Sequence, residues 1–126
     1  MNAPEPQTRS AVELTLAWRR GPGTAWCDFH TAVLPDAPAS GILLVWSGED
    51  RHVAHVAAGG IAKNLKWARQ FKPLAVLPGL LVTWAALPED RQAGVRNYLL
   101  ARLHPAYSDP PTAEAPVTVN LPWEIP

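Results

Sequence analysis

Residues 41–66 constrain this chain more than any other stretch. Residues 42–46 (Ile-Leu-Leu-Val-Trp) are apolar without alternation. A run of that kind reads as a strand buried on both faces, and so central in its sheet. Ser47-Gly48-Glu49-Asp50 has turn chemistry, and residues 53–57 follow as an antiparallel partner. Gly59-Gly60 stops the second strand. Ile61, Leu65 and Ala68 then recur at helical spacing, up to a stop at Pro73. The expected unit is strand, tight turn, strand, helix.

The rest of the chain reads as covering for this unit. Residues 1–10 are polar and contain proline, which suggests a frayed tail. Residues 11–126 form one domain with a core at about 41–105. Val12, Leu14 and Leu16 alternate with polar residues, as in a half-buried strand. Residues 26–34 read as a short extended piece, and the two prolines in 35–40 mark a loop. Residues 79–86 suggest a third strand. Pro88-Glu89-Asp90 opens a second helix, with proline at its first position and acids at the positive end of its dipole. Val95, Tyr98, Leu99 and Leu103 form its apolar stripe, and His104-Pro105 ends it. Residues 106–116 are a Pro-rich loop, and 117–121 a last short strand. The fold class is therefore α/β. We expect a small mixed three-stranded central sheet, hairpin plus third strand, with two helices and extra strands at the N- and C-terminal ends.

Elements in this order, with Gly41-Ile42 on an apolar strand, a Gly-rich entry to a helix and Gly94-Val95-x-x-Tyr98-Leu99 in the later helix, resemble the GIY-YIG nuclease fold. The likeness is to its small bacterial members. The resemblance implies a catalytic set of two strand tyrosines, a helical arginine that steadies phosphate and a glutamate that holds one divalent metal. In this chain Leu43 stands at the first tyrosine, and His55 or Val56 near the second. Ala57 replaces the glycine, Asn64 falls at the arginine, Ala68 at an accompanying histidine and Arg96 at the glutamate. Leucine cannot act as a base, and a guanidinium cannot bind a cation. The resemblance thus implies a fold retained without its catalytic residues, metal or cofactor.

Other chemistry is thinly marked. His52 and His55 are three apart on a strand and so point to opposite faces, which argues against a shared metal. Asp28 and His30 read as an ordinary polar face, and Cys27 as a buried thiol. With one cysteine the chain has no intramolecular disulfide. No Walker-type loop, G-x-G-x-x-G or Cys-x-x-Cys is present. Residues 1–10 carry no apolar h-region, and no apolar run approaches the ~20 residues of a membrane span. The expectation is a cytoplasmic protein with no membrane partner.

The net charge of zero hides an asymmetry, because residues 51–88 hold Arg51, Lys63, Lys66, Arg69 and Lys72 and no acid. Lys63, Lys66, Arg69 and Lys72 recur every third residue, away from Ile61 and Leu65. A one-signed helix face suits an anion, since plain surface helices usually mix signs. Trp67 lies in the same run, where an exposed indole could stack on a base or anchor a protein. The chain is read as a non-catalytic binding module for DNA or RNA, through Lys63, Lys66, Arg69, Lys72 and Trp67. One alternative is a protein–protein adaptor that uses a Trp-rich surface. The other is a divergent metal-dependent nuclease.

Overall fold

The computed structural model describes residues 12–20, 25–33 and 40–124. The expected tail at 1–10 and all of the expected loop at 35–40 except Ser40 lie outside the described residues. The elements are β1 (Cys27–Asp28), β2 (Ser40–Ser47), β3 (Val53–Gly60), α1 (Ile61–Gln70), α2 (Lys72–Ala75), β4 (Leu80–Ala86) and α3 (Glu89–Leu103). The fold class is as expected, a small α/β domain. The sheet corrects two expectations: it has four strands, in the order β1-β4-β2-β3, and every pair is antiparallel rather than mixed.

β2 is central and buried from Gly41 to Trp46. Its non-alternating sequence fits, because both faces are covered. Ile42, Leu44 and Trp46 pack with Val95 and Leu99 of α3 on one face. Leu43 and Val45 pack with Ile61, Leu65 and Ala68 of α1 on the other. Each such aliphatic side chain, fully buried, contributes about 1.5–3 kcal/mol. Gly41 is required by close approach: a Cβ there would stand 2.0 Å from the Ala85 carbonyl oxygen of β4.

A bulge sets the register of β3. Val45 pairs with His55 and Trp46 with Val53, so Ala54 is the extra residue. Val53 and Val56 therefore join the α3 side of the core, whereas Ala54 joins the α1 side. His55 follows Ala54 onto that side and meets Trp67 of α1, with ring centroids 5.3 Å apart.

α1 ends where Phe71 turns to extended backbone, and Pro73 lies in the first turn of the short α2. α3 ends at His104, which adopts a left-handed conformation (φ 48°) and donates its N–H to Leu100. The expected terminal strands shrink to one parallel bridge, Leu14 with Val119. A side chain takes the place of the missing ladder. Leu16 N–H donates to Asn120 Oδ1 (2.6 Å), Asn120 Nδ2 donates back to the Leu16 carbonyl (3.1 Å), and Trp18 Nε1 donates to the Asn120 carbonyl (2.9 Å).

Candidate functional site

β3 is an edge strand, so its outer backbone groups need partners. A strap at residues 106–108 supplies them. Ala106 N–H donates to the Val53 carbonyl and Tyr107 N–H to the Ala54 carbonyl. The Ser108 hydroxyl accepts from Val56 N–H (2.8 Å) and donates to the Val56 carbonyl (3.2 Å). Arg96 of α3 fixes the next residues, donating to the carbonyls of Asp109 and Pro110.

Strap, edge strand and α1 enclose a cavity of about 570 Å³. Trp67, Phe71 and Tyr107 form an aromatic wall. The Trp67 and Phe71 rings stack at 4.9 Å, and Phe71 meets Tyr107 edge-on at 5.7 Å. Polar groups reach the same cavity from His55, Asn64, Arg96, Ser108 and Asp109. Asn64 Nδ2 donates to the Ala58 carbonyl at 3.1 Å, which leaves its Oδ1 as an acceptor.

His55 is only 7 % exposed. Burial pushes its pKa below the ordinary value of 6.5; the Tyr107 hydrogen bond and the Asp109 charge oppose this, and Arg96 adds to it. The ring is therefore neutral at pH 7. A carbonyl only accepts, so the nitrogen 2.6 Å from the Tyr107 oxygen, Nδ1, carries the proton. Nε2 is left as an acceptor, with no hydrogen-bond partner among the described residues.

Of the residues that the resemblance sets at catalytic positions, some line the cavity and some do not. His55, Asn64 and Arg96 line the cavity. Leu43 is wholly buried beneath α1 and does not line it. The Val56 side chain packs on the α3 side of the core, and His55 faces α1.

The basic residues divide as well. Lys63 and Lys66 are exposed on α1, and Lys72 at the start of α2. At ~100° per residue, Lys63 lies about 40° around the helix from Trp67, and Lys66 about 100°. Arg69 points elsewhere. Its Nε donates to the Phe29 carbonyl (2.9 Å) and its Nη2 to the Ala32 carbonyl (2.6 Å), bracing the turn after β1. Trp67 is half exposed, the only tryptophan so open among the described residues.

A divalent metal does not fit these residues. Arg96 brings a cation to the lining, and its guanidinium is bound to two carbonyls. Asp109 is the single carboxylate of the lining. No group of three His, Cys, Asp or Glu among the described residues is placed to hold an ion. No helix among them is long and apolar enough to cross a membrane.

Sequence reasoning missed Phe71, Tyr107, Ser108 and Asp109. Phe71 lies just past α1, and the other three lie in a loop, where Tyr107 and Ser108 have partners about fifty residues away and Asp109 is held by Arg96, 13 residues before it. Comparison with known protein families, curated proteins and solved structures finds no match.

Proposed function

We propose that this chain is a non-catalytic nucleic-acid-binding module that keeps a GIY-YIG-like order of elements. Its binding surface is the cleft between β3, α1 and the strap. One observation carries the reading. His55, Asn64 and Arg96, which the resemblance sets at catalytic positions, line one cavity with half-exposed Trp67, and Lys63 stands one helical turn before Trp67 on α1. Lys63, Lys66 and Lys72 supply positive charge toward phosphates. Arg69 contributes only to the long-range field, since its donors are engaged. Hydrolysis would need a base, a metal and a phosphate clamp together. Leu43 and Arg96 remove two of the groups that would supply them.

The test is binding to labelled DNA and RNA across a salt series, beside incubation of plasmid and RNA with magnesium or manganese. The reading requires affinity that falls steeply with salt, and no cutting. Cleavage abolished by EDTA would contradict it and favour the divergent nuclease, for which Asp109 in the cleft is the supporting feature. A protein adaptor built on tryptophan has less surface. Trp18, Trp26, Trp46, Trp84 and Trp123 are buried or half-buried, which leaves Trp67 and Tyr107 as exposed aromatics.

A further inference from the structure

We infer that the cleft takes one unstacked base of a single-stranded nucleic acid, and so selects single strands over duplex. The inference rests on the nucleic-acid reading above and names the form of its ligand.

The cavity differs from a plain basic face in three respects. Its wall is aromatic: Trp67, stacked on Phe71 and tilted against His55, keeps half its surface open to an incoming base. Its polar lining is rich in acceptors. His55 Nε2 and Asn64 Oδ1 carry no hydrogen bond among the described residues, and Asp109 adds a carboxylate. A buried acceptor without a partner is costly, and His55 is more than nine-tenths buried. Nucleobases carry N–H donors on their Watson–Crick edges, which complement such a lining. Those edges are free only when the base is unpaired. Finally, the cavity is paired with exposed cations. Lys63 lies one helical step from the wall, where it can meet the phosphate next to an inserted base.

A paired base cannot offer its edge to this lining, and a duplex is too wide to enter a 570 Å³ cavity. Duplex can meet only the lysines outside. Single strands should engage both wall and lysines.

The experiment compares a labelled single strand with its duplex, by fluorescence anisotropy, on the intact chain. The parent is expected to bind the single strand about tenfold more tightly, the scale of one stacked base. Trp67→Ala should weaken single-strand binding about tenfold and so erase that difference. Lys63→Glu should weaken both. The parent itself gives a second readout: the Trp67 indole N–H resonance, assigned by its loss in Trp67→Phe, should move on adding the single strand. Equal affinity for the two forms, a preference that survives Trp67→Ala, or an unmoved indole resonance would overturn the inference while leaving nucleic-acid binding in place. Failure of the parent to bind either form would overturn both.

Discussion

His55 shows what burial does to one ionisable group in this cleft. Its pKa is lowered in the folded chain, chiefly by burial, whereas the unfolded chain titrates near 6.5. Below that value the unfolded state binds more protons, so the stability His55 contributes is fully present above pH 6.5. It is lost as the pH falls through the folded-state pKa. Denaturant midpoints at pH 7.5 and 5.5 should differ more in the parent than in His55→Gln. An unchanged difference would show that His55 is not held neutral by the fold. Arg69 and Lys63 form a second contrast. Removing a cation that donates to two carbonyls should cost about 1–3 kcal/mol, so Arg69→Met should lower stability. Lys63→Met should shift it by less than about 0.5 kcal/mol. Paired denaturant melts read both. Nothing in the spacing of Lys63, Lys66, Arg69 and Lys72 distinguishes Arg69, because its partners, the Phe29 and Ala32 carbonyls, lie about forty residues upstream.

At the scale of elements, periodicity is legible where local spacing decides the fold. Ile61, Leu65 and Ala68 are the buried residues of α1, as their spacing implies. The apolar run of β2 is buried on both faces. The register of β3 is not legible, because the bulge at Ala54 is set by pairing with β2 and leaves no mark in composition. The inner face of α3 is legible in part. Val95 and Leu99 are buried, but so are Gln92 and Asn97, whose amides are committed to hydrogen bonds. Gln92 Nε2 donates to the Leu87 carbonyl, and Asn97 holds the 112–114 segment through four hydrogen bonds. Gly94 is the tight point of that packing: a Cβ there would stand 2.7 Å from both the Ala115 carbonyl oxygen and Val117 Cγ2. Gly94→Ala raises helix propensity, yet it should destabilise by roughly 1–3 kcal/mol, because backbone must move. A melt at or above the parent's would contradict the packing of residues 115–117 on α3. Val45→Asp should abolish cooperative unfolding, since it places an unpaired charge between β2 and α1.

Across the whole molecule, the central sheet and its two main helices follow from sequence, and the cleft follows only in pieces. Its strand and helix sides, His55, Asn64, Trp67 and Arg96, lie in periodic segments. Its third side, the strap, runs through a Pro-rich loop with no period. Charge is similarly uneven: the longest stretch without acids, residues 51–88, supplies α1 and the edge strand of the cleft. The central claim is that this cleft and its lysines bind nucleic acid. The most direct measurement is the affinity of Lys63→Glu, Lys66→Glu for one labelled strand, set beside the parent across a salt series, with thermal melts of both. The account predicts an unchanged melting temperature, weaker binding at every salt concentration and a log–log salt slope smaller by about one unit for each phosphate no longer neutralised. A double variant that binds as the parent does, or a parent with no measurable affinity at low salt, would contradict it.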